Sequence, residues 1–245
     1  MIECGSYRAA VAEPYAMTYV HASAGLYVVM SGGGGGAAQL MPATELEKAS
    51  DAARVVALEA RGDELLTTWL DEVDASMAAL RAGFMYKGSH AEATAVVVSS
   101  DTAWIGNVGL GRCYRLDAEG LVQLTRDDSL LGEAGVDREL AERYGDIVTS
   151  VLGTWRETRP DWQPTPISID GVTGLLLASR EAHRATTADE LAAWSRDALA
   201  TNDLLDDAAA VLWHRLHANL APESTREITQ FERRAAIMLL RIIPE

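Results

Sequence analysis

Residues 28–38 read VVMSGGGGGAA, a serine and five glycines set directly behind a short apolar run. A glycine-rich turn after a buried strand can aim backbone N–H groups at a phosphate or backbone carbonyls at a cation. This stretch has neither the GxxxxGK[ST] pattern of a phosphate loop nor the GxGxxG of a dinucleotide fold. Ser31 with His21 and an aspartate would supply the residue types of a hydrolase triad, but Ser31 is not framed as GxSxG. His214 and His217 stand three apart on a predicted helix, without a companion acid or cysteine at a diagnostic metal spacing. Asp127-Asp128 falls in a loop after a strand, and Asp206-Asp207 opens a helix, where negative charge suits the backbone dipole.

The elements that must position these groups are legible as apolar patterns. Runs at 16–23, 26–31, 94–99, 102–109, 112–116, 121–125, 174–179 and 235–242 are short, rich in Val, Ile, Leu and Tyr, and bounded by turn residues. RCYRL-DAEG-LVQLT predicts a hairpin with DAEG as its turn. A helix is predicted after Thr44, its expected N-cap, with Glu47 three residues on. A second places Leu66, Trp69, Leu70, Val73, Met77 and Leu80 on one face before Gly83. Helical patterns recur at 179–199 and 204–220. Strands, two long helices, more strands, more helices and a last strand give an α+β order, read as a single domain over 1–245.

Composition excludes several classes. Asp and Glu number 36 against 21 Lys and Arg, a formal charge of −15, which disfavours nucleic acid and anionic membranes as partners. No apolar run is long enough to span a bilayer, and MIECGSYRAAVAEP lacks the pattern of a signal peptide. Cys4 and Cys113, far apart and outside any CxxC, are expected to be reduced thiols, and the protein is expected in the cytoplasm.

An ordered series of stretches resembles the landmarks of the metal-dependent serine/threonine phosphatases, the PPM or type 2C class. GSYRAAVAE (5–13) stands for GxxRxxNED, VVMSGGG (28–34) for VADGMGG, EATAVVV (92–98) for the GTT strand, and VGLGRCYRL (108–116) for VGDSRAYRL. QLTRDDS (123–129), TSVLG (149–153), LLLASREA (175–182) and RRAAIMLLRI (233–242) follow in the order of QLTxDHS, TxxLG, LLLxSDGL and DN(I/A)TVVVVR. EKAS (47–50) matches the helix after the glycine turn. The series covers nearly the whole chain and implies a four-layer α-β-β-α sandwich.

The resemblance also implies where a two-ion Mg²⁺ or Mn²⁺ site would lie, and there the acids are missing. Ala12 and Glu13 stand for the Glu-Asp of the start motif, Ser31 for the Asp of VADG, Arg180 for the Asp of SDGL and Arg233 for the closing Asp, with Arg226 as the alternative register. Leu110 replaces the GDSR acid and Asp128 the DHS histidine, while Gly32 is kept. The expectations are a pseudophosphatase that needs no cofactor and binds a protein partner, with a phosphoprotein or a kinase among the candidates. Arg8, whose counterpart grips the substrate phosphate, forms with Arg180 and Arg234 a candidate anion site. Two alternatives stay open: a divergent phosphatase with one metal held by Glu13, Asp127 or Asp128, and a phosphate or nucleotide sensor.

Overall fold

The computed structural model describes residues 1–34, 40–57, 60–83, 86–129, 139, 147–153, 163–201, 204–220 and 225–243. Among these residues ten strands form two five-stranded antiparallel sheets. The first sheet runs β1 (Ile2–Arg8), β10 (Ala236–Ile242), β9 (Gly174–Ala178), β6 (Arg112–Asp117), β7 (Gly120–Gln123). The second runs β2 (Ala16–His21), β3 (Leu26–Gly34), β4 (Ser89–Ser99), β5 (Thr102–Val108), β8 (Thr165–Ser168). Helices α1 (Ala43–Ala57) and α2 (Gly62–Ala82) cover the second sheet. On the first sheet lie α3 (Arg180–Arg184), α4 (Ala188–Thr201), α5 (Leu205–Ala218) and α6 (Thr225–Arg234). The architecture is the expected α-β-β-α sandwich.

Strand alternation explains the layering. In β3, Leu26, Val28 and Met30 pack under α1 and α2, while Tyr27 and Val29 enter the gap between the sheets. In β10, Ile237 and Leu239 face the helices, and Ala236, Met238 and Leu240 face the other sheet. Strands buried on both faces need unbroken apolar runs, which is why these were visible in the sequence. The α2 stripe Leu66, Trp69, Leu70, Val73 and Met77 is fully buried against the alanines Ala91, Ala93 and Ala95 of β4. Small residues on the strand let the large helical side chains approach the sheet.

Several local expectations are corrected. Thr44 is no N-cap, because α1 begins one residue before it at Ala43, whose amide donates to the Pro14 carbonyl. The pattern at 179–199 is broken into α3 and α4 at Ala185–Thr187, where Glu190 accepts from Thr186 and Thr187 and caps the second helix. The glycine run does not turn at once: Gly32, Gly33 and Gly34 continue β3 opposite Ala91, His90 and Ser89. Gly35 and Gly36 lie outside the described residues. The 112–125 hairpin forms as expected, with the Asp117 carboxylate accepting from the Glu119 and Gly120 amides.

Gly5 marks a close crossing. A Cβ there would run into the backbone of Leu205 and Asp206, where α5 starts against β1. Gly5→Ala is expected to lower stability by about 2 kcal/mol, the usual effect of overpacking; a urea midpoint equal to that of the parent chain would refute it. Among the described residues no helix is long and apolar enough to cross a membrane.

Candidate functional site

The alternation that builds the core also aims Ser31 and Glu92 into the gap between the sheets. Ser31 sits between Ala16 of β2 and Glu92 of β4, and both polar side chains are almost fully buried. From the other sheet, β9 and β10 end side by side there. Ser179 locks them, donating its amide to the Ala236 carbonyl and accepting the Ala236 amide on its Oγ, both at 3.0 Å. That lock carries Arg180 and Glu181 in from one strand and Arg234 from the other. Arg234 Nη1 lies 3.0 Å from Glu181 Oε1, with side chains only 16% and 14% exposed.

The pocket is therefore a mixed-charge cluster. Glu92 Oε2 accepts from the Leu110 amide at 2.8 Å, while Glu92 Oε1, Glu181 Oε2 and Arg234 Nε have no hydrogen-bond partner among the described residues. Burial raises the pKa of Glu92; the Leu110 N–H opposes that rise and the nearby Glu181 adds to it. Burial and the guanidinium of Arg184 lower the pKa of Arg180, and Glu92 and Glu181 pull it back up. His90, on the same strand as Glu92, is pushed down to about 4 by burial and by the field of Arg234, Arg81 and Arg180. A Cβ on Gly33 would collide with the His90 ring, so a side chain there would have to displace the histidine.

The start-motif positions lie elsewhere. Ala12 and Glu13 are exposed on the rim, and among the described residues Glu13 meets the Tyr15 hydroxyl at 3.5 Å and Arg233 at 3.9 Å. Arg233 turns outward over the Tyr15 ring, 5.9 Å from its centroid, so it does not share the pocket with Arg180. Arg226 belongs to the first turn of α6, about two turns before Arg233. Arg8, at the end of β1 opposite Ala236, is 3.3 Å from Glu47. The three candidate anion-binding arginines are thus split: Arg180 and Arg234 in the pocket, Arg8 on the rim. The 13–15 segment straps the site. Tyr15 donates its amide to the Arg233 carbonyl at 2.7 Å, and its own carbonyl accepts the Gly32 amide at 2.6 Å. A Cβ on Gly32 would run into the Met41 carbonyl.

The remaining candidates have local partners. Asp127 is clamped by Arg112 through two bonds of 2.8 and 2.7 Å, and Asp128 accepts from the Gly109 amide at 2.9 Å. His21 pairs with Leu26 at the opposite end of β2 from Ala16, the partner of Ser31, so Ser31 and His21 do not meet; His21 Nδ1 lies instead 3.4 Å from Ser23 Oγ. His214 contacts the Tyr7 hydroxyl, while His217 stacks on Trp213 and faces Glu232 at 3.3 Å. Asp206 caps the Ser6 amide across to β1. Cys4 and Cys113 are free thiols, Cys4 pushed up to about 12 chiefly by burial.

Sequence reasoning missed Glu92, Glu181, His90 and His183. The available signal was a carboxylate inside the otherwise apolar run AEATAVVV. Buried His183 donates from Nε2 to the Leu110 carbonyl at 2.7 Å, which fixes the tautomer because a carbonyl can only accept. The Leu110 peptide is thus held from both sides, by Glu92 and by His183.

No family model and no curated protein matches the chain. Solved structures do. A bacterial serine phosphatase superposes with a TM-score of 0.73 at 17% identity, covering 100% of this chain and 98% of the other. The catalytic domain of the serine/threonine phosphatase PstP, in complex with two manganese ions, gives 0.66 at 17%, covering 100% and 98%. PppA, described as a key regulatory component of the type VI secretion system in Pseudomonas aeruginosa, gives 0.66 at 20%, covering 99% and 98%. The chain has the fold of the PPM-type serine/threonine phosphatases.

The PstP complex corrects one expectation. This fold is one that holds manganese, so a cofactor-free protein is no longer the reading. The described donors do not themselves compose a two-ion site. No three His, Cys, Asp or Glu side chains among them converge as a ligand group. The two pocket carboxylates also share their space with Arg180 and Arg234. At an effective dielectric near 20, a unit charge about 4 Å from another feels roughly 4 kcal/mol, and a divalent ion feels twice that from each arginine.

Proposed function

We propose that the chain is a pseudophosphatase: a PPM-type domain spanning 1–245 that does not turn over phosphoesters and acts in the cytoplasm as a protein-binding or regulatory module of phospho-signalling. The observation that carries this reading is the Arg234–Glu181 pair, with Arg180 beside Glu92, in the pocket where the resemblance puts catalytic acids. Carboxylates matched to internal guanidinium groups are poorly placed to activate a water. The regulatory description of PppA, a protein of the same fold, is in keeping with a signalling role. A fold can keep its surface in use after its chemistry changes.

The competing reading is a divergent phosphatase, and its support is the pair of oxygens without a hydrogen-bond partner among the described residues, Glu92 Oε1 and Glu181 Oε2. One assay separates the two. With Mn²⁺ and p-nitrophenyl phosphate, the purified protein is expected to release product no faster than a control with chelator. Mn²⁺-dependent turnover that disappears in Glu92→Gln would overturn the pseudophosphatase reading.

A further inference from the structure

A cleft of about 1640 Å³ opens at the end of the sandwich away from Ser31 and Arg180. It lies past the first residues of β1 and the last of β10, between the hairpin tips of the two sheets and α4. Its floor is aliphatic: Ile2, Val98, Val172, Leu199 and Ile242. Ile2, Val98 and Ile242 are only partly buried and sit at the margin of the inter-sheet core, so the cleft is where that core reaches solvent.

The rim is polarised. Asp101, at the β4–β5 turn, and Asp170, in the turn before β9, are exposed neighbours on one wall, because the Ile169 amide donates to the Asp101 carbonyl at 3.0 Å. Neither carboxylate has a cationic partner among the described residues. Of the other charges of the cleft, Asp117 is matched by Arg115 at 2.8 Å and Arg241 by Glu3 at 3.0 Å, while the Met1 ammonium donates to the Ile243 carbonyl at 2.9 Å. Arg196, on α4, stands on the opposite wall. The wall formed by the two turns thus offers two unneutralised negative charges directly above an apolar floor, on a protein whose net charge of −15 attracts cations from a distance. The turn at Asp101 is pre-shaped, since Ser100 holds a positive φ of 51°, the one non-glycine residue to do so among those described.

We infer that this cleft docks a basic, aliphatic peptide segment of a protein partner, with lysine or arginine heads on Asp101 and Asp170 and apolar side chains on the floor. The inference rests on the partner-binding reading above and gives that partner a place and a chemistry, at the end of the fold opposite the charge cluster.

The test uses a capped hexapeptide of alternating leucine and lysine, its leucine–glutamate counterpart, and amide chemical shifts of the whole chain. The basic peptide is expected to shift residues 98–101, 168–173 and 241–243, and to bind at least about fivefold more weakly to Asp101→Asn/Asp170→Asn. Arg196→Glu, which adds a carboxylate to the rim, should tighten it. Equal binding of the acidic peptide, shifts centred on Arg180 and Arg234 instead, or no binding at about 1 mM would each overturn the inference. None of these outcomes bears on phosphoester turnover, so the docking site and the pseudophosphatase reading fail separately.

Discussion

Arg234→Met should destabilise the protein by about 3 kcal/mol in urea unfolding, more than any exposed ion pair could account for. Arg234 and Glu181 are 16% and 14% exposed at 3.0 Å, so most of their hydration is already lost in the folded state. Removing one partner strands the other charge at low dielectric, typically at a cost of 3–5 kcal/mol. The lower end applies because Arg180 also faces Glu181. By contrast, Arg8–Glu47 at the rim is more than a third exposed on both sides, and such pairs contribute about 0–1 kcal/mol. The double variant Arg234→Met/Glu181→Leu is the control, since replacing both charges with apolar groups restores most of the loss. If the single variant unfolds at the parent midpoint, the pair is not the internal counter-charge that the pocket geometry requires.

A second large effect should appear as pH dependence at His183. Burial first, and then the neighbouring Arg112, hold its ring down to about 4 in the folded protein, against 6.5 when free. Folding therefore favours the neutral ring. Its contribution is complete above pH 6.5 and is lost as pH falls towards 4. At about 1.4 kcal/mol per pH unit, that interval is worth about 3 kcal/mol. Glu92 works the other way: its raised pKa makes the charged form a penalty at neutral pH that fades on acidification. Comparing the parent with His183→Gln cancels Glu92 and isolates the histidine, because glutamine keeps a donor for the Leu110 carbonyl. The parent should lose about 3 kcal/mol more than the variant between pH 6.5 and 4. Parallel stability curves would remove His183 from this role.

The sequence showed the strands buried on both faces, because β3, β4, β9 and β10 had to be continuous apolar runs. It hid the elements whose sides differ. β1, IECGSYR, is half-buried along nearly its whole length and mixes glycine and glutamate with apolar residues. β8, TPIS, is a short, largely exposed edge containing a proline. α6, TREITQFERR, is dominated by charge, and Phe231 is its one deeply buried side chain among those described. The candidate site divides in the same way. Ser31 lies in β3, and Arg180 and Arg234 are the helix-end residues next to β9 and β10, so strand register brings the three to the same end of the sandwich. Glu13 could not be placed, since nothing in a loop sequence says that its carboxylate turns outward. Glu92 went unnoticed because a charge in a strand becomes meaningful only once alternation says which way it points, and Glu181 because its direction depends on the short helix that follows β9.

The position of β10 has a consequence for how the protein is made. That strand, the last among the described residues, lies inside the first sheet, pairing with β1 on one side and β9 on the other. Until residues 236–242 have left the ribosome, β1 has no neighbour in its sheet, and β9 is paired only with β6. The second sheet, by contrast, has four of its five strands before residue 109. One half of the sandwich can thus assemble early, while the other waits with unpaired edges on β1 and on the apolar β9, a state prone to wrong pairing. Pairing β1 with β10, strands far apart in sequence, also makes for slow folding. A nascent chain stalled just short of β10 is the form of this protein with most need of a chaperone.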